Sequence, residues 1–341
     1  MTALQVIWFF LVGVLFIGYA ILDGFDLGVG FWHLRAKGDD ERRAMLNAVG
    51  PVWDGNEVWL LTAGGALFGA FPAVYATVFS GFYLALMLVL LVLMLRAISF
   101  EFRSQVDSPG WRKAWDVVFS VSSTLAIVLF GVALGNILRG IPLDAGGNYT
   151  GTFFGLLNPF ALMTGVLGLA MLAFHGALYM VMKGSGDLEE RARGWAGPAG
   201  VAYLVLFLIA AVVTAATQGH LLDNYRAYPL LWAIPVAVLS LISGALFLHR
   251  NGESGRAFLC SSLSIAAIWA QVGAGLFPTM VPALGNPELS LTLSNAASGA
   301  LTLKAMLVIA LLGMPVVVGY TIWVYWAFKG KVDVSHEGAH Y

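Results

Sequence analysis

Apolar residues run along this chain in long blocks, separated by short polar stretches that carry most of the charge. A helix needs about 20 apolar residues to cross the hydrocarbon of a bilayer. By that measure the pattern predicts nine spans, at about 4–34, 45–71, 73–100, 115–138, 156–182, 196–217, 229–248, 256–277 and 301–327. The first is long for one crossing, so it tilts or extends past the bilayer. Pro51, Pro72, Pro159 and Pro235 fall in or at the ends of spans, where neighbouring helices can satisfy the backbone groups that proline frees. The predicted fold is an all-α integral membrane protein, one polytopic domain over residues 1–341.

Charge gives the orientation. With nine spans, fifteen of the 18 Lys and Arg residues lie on one set of loops. Only Arg139, Arg226 and Lys304 lie on the other. Cytoplasmic loops carry the excess of Lys and Arg, so the N-terminus is expected outside and the C-terminus in the cytoplasm. A count of eight spans would spoil this segregation. Two of the basic loops also resemble each other: AKGDDERRAMLNAVGP after the first span and KGSGDLEERARGWAGP after the fifth. Four spans lie between them, an even number, so the two halves would share orientation. The expected organisation is two parallel four-helix bundles, about 1–138 and 156–277, plus a ninth helix at 301–327. Short basic loops have biased composition in any membrane protein, so the loops alone leave the repeat open.

Composition narrows the class. The chain is 59% hydrophobic and 11% charged, with a mean hydropathy of +0.83, where a soluble domain carries about 25% charge. A net charge of −1 offers no footprint for nucleic acid. Cys260 stands alone, which excludes an internal disulfide and a cysteine-only metal site. No basic segment precedes the first apolar run, so that run reads as a span rather than a cleaved signal peptide.

Against this background two pairs of acids stand out: Asp23 with Asp26 in IGYAILDGFDLGVGFW, and Asp54 with Glu57 in VGPVWDGNEVWLLTAGG. Each pair has i, i+3 spacing, which puts both carboxyls on one helix face. Asp26 precedes Arg35 by nine residues and Asp54 follows Arg43 by eleven. At a rise of 1.5 Å per residue, both pairs sit roughly 13–21 Å from the basic loop. The loop is short, so the two spans are expected to be antiparallel neighbours with all four acids in one cytoplasmic-side cluster. Carboxylates crowded in low dielectric cannot all ionise, so some hold a proton. Ionisable side chains at bilayer depth are costly and usually functional. A proton relay is the leading reading. Anchors for Trp53, Asn56 or a neighbouring helix, and a cation site built from carboxylates and carbonyls, stay open beside it.

Other candidates are weaker. His33 and His175 have the chemistry to ligate haem or metal, but no second ligand recurs at a dedicated spacing. Arg96 and Glu101 flank the end of the third span, where a snorkelling charge is ordinary. Asp116 near the start of the fourth span reads most simply as a favourable charge at a helix N-terminus.

GYAILDGFDLGVG, followed by ERRAMLNAVGPVWDGNEVWLLTAGGALFGAFPAVYATVFSGFY, closely resembles subunit II of the cytochrome bd-type quinol oxidases. The likeness continues through RAISFEFRS, WRKAWD, GVALGN, LLNPFALMTGV and LWAIPV to TLSNAASGALTLKAM and YTIWVYW, and so spans nearly the whole chain. The resemblance implies nine helices in two four-helix units plus one. It implies a subunit of a bacterial inner-membrane terminal oxidase that oxidises quinol, reduces dioxygen to water and builds a proton gradient. Two b-type haems and one d-type haem are then expected in a haem-bearing subunit I and none on this chain. A small single-helix accessory subunit and a structural quinone on the lipid side occur in some members. The positions matching the family's proton pathway are Asp23, Asp26, Asp54, Glu101 and Asp116, and Trp59 matches a residue near an oxygen entrance. Glu57 joins the set from its spacing, although some members carry Gln there. The loop at about 218–228 is shorter than in some members. The rival from another class is a proton-coupled secondary transporter, which would use the same acids but needs a midplane substrate site. Beyond Asn158, His175, Thr214 and Gln271 the later spans offer few polar side chains for one.

Overall fold

The computed structural model describes residues 1–332. Its helices are α1 (Ala3–Trp32), α2 (Gly38–Val49), α3 (Trp53–Ala70), α4 (Pro72–Gly81), α5 (Tyr83–Phe102), α6 (Pro109–Arg139), α7 (Pro159–Lys183), α8 (Gly186–Thr217), the short α9 (Asp223–Ala227), α10 (Ala233–Arg250), α11 (Ser254–Leu276), the short α12 (Leu293–Ala296) and α13 (Ala300–Ala327). A two-stranded antiparallel ribbon, β1 (Thr279–Val281) and β2 (Leu291–Thr292), lies between α11 and α12.

Eight helices among the described residues are long and apolar enough to cross a membrane. Nine were expected, and the second is the one that differs. Its stretch is two helices, because Gly50 closes α2 on the Leu46 carbonyl and Pro51 has no N–H with which to continue. What remains is α3, only 18 residues long, with Asp54, Asn56 and Glu57 in its first turns. The expected third span is likewise divided, into α4 and α5 at Phe82.

Despite its length, α3 follows α1 in the antiparallel sense. Asn56 meets Asp26, Trp59 meets Gly18, and Leu67 and Ala70 share a core with Trp8 and Val12. Polar ties fix the two ends of the molecule. At the basic end Arg191 of α8 holds Glu41 of α2 at 2.8 Å. At the other, Thr77 of α4 donates to the Gly147 carbonyl at 2.7 Å, and the Ser298 N–H donates to the Ala70 carbonyl.

α1 and α7 cross without room for side chains between them. A Cβ at Gly28 would stand 2.0 Å from the Leu172 carbonyl oxygen, so this crossing needs glycine. Around it the neighbours fall into a regular pattern. α1 packs on α3 and α6, and α5 packs on α6; α7 packs on α8 and α11, and α10 packs on α11. α6 also meets α7, and α11 meets α1. α13 stands outside, touching α3 and α1, with only Leu303 of its residues buried. One apolar core joins α1, α2, α7, α8, α10 and α11 towards the basic end, and a second surrounds Trp8, Phe71, Phe82 and Leu293 at the other.

Candidate functional site: buried ionic clusters on the first helix

α1 carries the site because its bundle-facing side is buried over its last three turns, charges included. Asp23 is fully buried and receives two hydrogen bonds from Arg96 of α5, at 2.9 and 2.5 Å. Arg96 is 1% exposed and lies in the interior. The expectation that it snorkels to the interface is therefore wrong: a carboxylate in low dielectric needs a cation, and the planar guanidinium meets it with two parallel donors.

Asp26, one turn on, is equally buried but makes no ion pair among the described residues. Its Oδ2 accepts from Asn56 Nδ2 at 2.7 Å, while its Oδ1 has no hydrogen-bond partner among the described residues. Asn56 also donates to the Leu22 carbonyl at 3.3 Å and accepts from the Tyr325 hydroxyl of α13 at 2.9 Å. A chain Tyr325–Asn56–Asp26 thus links three helices. Trp53 stacks on Phe100 with ring centroids 4.9 Å apart, next to this group.

The four acids do not form the single cluster expected. Glu57 is partly buried and interacts electrostatically with Arg96 and Asp23. Asp54 is exposed at the start of α3. The i, i+3 spacing holds, but α3 turns that face only partly towards α1. Glu101 is exposed at the end of α5 and makes no ion pair among the described residues. Trp59 is partly buried with its ring flat against Gly18, where a Cβ would stand 2.2 Å from Trp59 Cε3.

Asp116 belongs to a second cluster, and it does more than complement a helix terminus. It lies in the eighth position of α6, buried, and accepts from His33 Nε2 at 2.7 Å, Arg103 Nε at 2.6 Å and Arg42 at 3.2 Å. Arg103 reaches on to Asp39 at 2.5 Å. Burial works against the Arg103 charge, but Asp116 and Asp39 outweigh it and hold the guanidinium pKa above its ordinary value. Asp39 is about one third exposed, so this chain runs from solvent at the basic end to the fully buried His33.

His175 is a satisfied core residue. Its Nε2 donates to the Ile21 carbonyl at 3.1 Å, its Nδ1 meets Ser261 Oγ at 3.0 Å, and its ring stacks on Phe258. Axial ligation there would break a bond at one of the two nitrogens, so the residue does not fit a haem. His33 is held by Asp116 through Nε2. No group of three or more His, Cys, Asp or Glu residues placed to hold a metal occurs among the described residues. Sequence reasoning weighed Asn56 as an anchor for one of the acids, and Asn56 does bind Asp26, but it missed Arg96, Arg103 and Tyr325 as parts of these clusters. Only Arg96 left a signal, as a cation inside the apolar run LVLMLRAISF with a buried acid elsewhere in need of one.

Comparison with known proteins agrees over nearly the full length. The family model of cytochrome bd terminal oxidase subunit II matches residues 4–328. Cytochrome bd-I ubiquinol oxidase subunit 2 of Escherichia coli K12 is 39% identical over 360 residues, covering 96% of this chain and 95% of the relative. Cytochrome bd ubiquinol oxidase subunit 2 of Bacillus subtilis is 36% identical over 341 residues, covering 99% and 98%. A chain of the bd oxidase structure from Geobacillus thermodenitrificans superposes with a TM-score of 0.79 over 96% of this chain and 99% of that one; at 16% identity this likeness speaks for the fold alone. The chain belongs to the cytochrome bd terminal oxidase subunit II family.

Proposed function

We propose that this chain is the subunit of a bd-type quinol:dioxygen oxidoreductase that binds no haem itself, supports a haem-bearing subunit I in a bacterial cytoplasmic membrane, and lines the route by which protons reach the site of dioxygen reduction. The observation that carries this reading is Asp26: a fully buried carboxyl that makes no ion pair and has one oxygen without a hydrogen-bond partner among the described residues. Asp23 is engaged by Arg96 at both carboxyl oxygens and orders the bundle. Asp26 and Glu57 are the acids left to exchange protons, since three carboxyls share one guanidinium. Asp116, held by the guanidinium groups of Arg103 and Arg42 and by the imidazole of His33, sets the field at the basic end. Reduction of one dioxygen consumes four protons, and taking them from the basic side while quinol releases protons opposite would build a gradient.

The topology in this reading has nine crossings with the N-terminus outside. α3 counts as the ninth because its 18 residues, about 27 Å at 1.5 Å per residue, nearly match the hydrocarbon. The neighbour pattern around the α1–α7 crossing supports two parallel units, α1, α3, α5, α6 and α7, α8, α10, α11, with α13 apart. The redox groups belong to subunit I, in keeping with the engaged nitrogens of His175. Trp59, on the flank of α1 beyond Asp23, is the residue this reading puts beside oxygen entry. An apolar groove lined by Leu84, Met87, Leu88, Leu91 and Phe153 suits an isoprenoid tail. Its lining side chains give a quinone head group no hydrogen-bond donor, so no quinone site is assigned to it.

The test is Asp26→Asn in the purified complex. Quinol-driven oxygen consumption should fall at least about tenfold, as expected when one proton carrier is lost, while the haem absorption bands stay unchanged. Normal turnover in the assembled variant would remove Asp26 from the route. A wild-type complex without haem bands would end the oxidase reading.

A further inference from the structure

We propose that the buried seam between α1 and α6 is the proton conduit from the basic end to Asp26, with His33 and Ser123 as two of its carriers. This rests on the proposed oxidase function and deepens it by naming the path and the residues.

The residues on α1 are spaced for it. Tyr19, Asp23, Asp26, Gly30 and His33 follow at intervals of four, three, four and three, which is one side of a helix, and all are buried. α6 answers with Asp116, Ser120 and Ser123, also buried and also spaced by four and three. The two stripes meet from Gly30 to His33, and beyond Ser123 the α1 stripe runs on to Asp26, which Asn56 of α3 also contacts. His33 meets Asp116 at 2.7 Å, and the Phe31 carbonyl accepts from Ser120 at 3.5 Å. Gly30 lies directly against Ser123, where a Cβ would stand 2.1 Å from the hydroxyl oxygen.

Two atoms define the ends of the gap. His33 Nδ1 and Asp26 Oδ1 are buried and have no hydrogen-bond partner among the described residues. They belong to residues seven apart on α1, about 10 Å along the axis, and Ser123 stands level with the glycine between them. An apolar lining would seat these helices equally well. A buried polar atom without a partner costs about 1–3 kcal/mol, and His33 Nδ1 and Asp26 Oδ1, at either end of a hydroxyl, are the arrangement a transfer path requires.

The proton balance is simple. His33 Nε2–H stays on Asp116, which leaves the Nδ1 lone pair to take a proton from water admitted into the seam, since the nitrogen itself is buried. Asp116 offsets the imidazolium charge, while Arg103 and Arg42, which also face it, keep that state short-lived; Asp39 lies beyond Arg103. The Nδ1 proton then passes by way of Ser123 and intervening water to Asp26 Oδ1, and His33 returns to neutral. Ser123 Oγ donates to the Phe119 carbonyl at 2.8 Å, so its lone pairs are free to accept, and rotation of the hydroxyl hands a proton on.

The experiment uses the complex with subunit I and reads oxygen consumption against pH, with the solvent deuterium isotope effect. Ser123→Ala should lower kcat about threefold and raise the isotope effect, and His33→Gln, which keeps a donor for Asp116 but cannot relay, should lower kcat about tenfold and flatten the pH profile. Ser122→Ala, a buried serine off the seam, should change neither. If Ser123→Ala leaves rate, pH profile and isotope effect unchanged while Asp26→Asn is slow, the seam is not the route and the oxidase reading stands. Should His33→Gln fail to assemble, Ser123→Ala decides alone, since it removes one atom from a close-packed site.

Discussion

Arg96 and Asp23 show what a single buried pair does for a protein of this kind. Each is buried away from water, so each depends on the other for most of the solvation it has lost. Removing one partner of a buried ion pair typically costs about 3–5 kcal/mol, whereas replacing both with apolar groups is often close to neutral. Arg96→Leu is therefore expected to lower the thermal midpoint of the complex sharply, and Asp23→Leu similarly, while the double variant recovers most of the loss. A double variant as unstable as the sum of the singles would show that the pair does not act as a unit. At this scale the sequence was half legible. An acid inside an apolar run is conspicuous because nothing around it can solvate it. The identity of its partner is not, because Asp23 and Arg96 are 73 residues apart and only the packing of α5 on the bundle brings them together. The same limit hid Tyr325, which looks like an ordinary helix residue until α13 lies down beside α3 and its hydroxyl donates to Asn56.

At the scale of helices, hydropathy located the apolar blocks but not their internal breaks. Gly50–Pro51 divides α2 from α3, and Phe82 divides α4 from α5, because backbone geometry rather than hydrophobicity ends a helix. Loss of the first half of the expected second span to α2 also turned Asp54 outward, away from the acids on α1. Crossing points were equally silent in the pattern, since glycine contributes no side chain to it. Gly176 is the clearest: its Cβ would stand 2.4 Å from the Gly28 backbone, which cannot move aside as a side chain would. Gly176→Val is expected to push α7 off α1 and, by forcing an overpacked crossing, to destabilise the complex by about 1–3 kcal/mol or more. Gly194→Ala, at a position with open space around its would-be Cβ, should be tolerated. Equal thermal stability of both variants would show that the crossing adjusts. The outcome bears on function, because His33, Gly30 and Asp26 lie on the same helix that this crossing fixes.

For the molecule as a whole, the question that joins charge, length and function is whether α3 crosses the membrane. Segregation of fifteen basic residues from three needs it to do so, and so does a route that begins at Asp39 and ends near Asp26 from one side only. Against it stand the shortness of α3 and its three polar residues near one end. The two ends of the molecule supply markers that settle the matter. Lys37 lies beside Glu41, which Arg191 of α8 holds at the basic end. Ser80 lies at the end of α4, where Thr77 is tied to Gly147 and Gly81 packs on Tyr149. In a Cys260→Ser background, Ser80→Cys and Asn148→Cys should react with a membrane-impermeant thiol reagent added to intact cells. Lys37→Cys and Asp187→Cys should react only after the membrane is opened. Labelling of positions 37 and 80 from the same side would leave α3 on the surface and invert the orientation of everything between it and the N-terminus relative to the remaining helices. Asp39, Arg103 and Asp116 could then no longer stand at the cytoplasmic mouth of the path to Asp26 while the other basic loops also faced the cytoplasm. The orientation of one 18-residue helix therefore decides whether the buried acids draw protons from the side on which the charge of the loops depends.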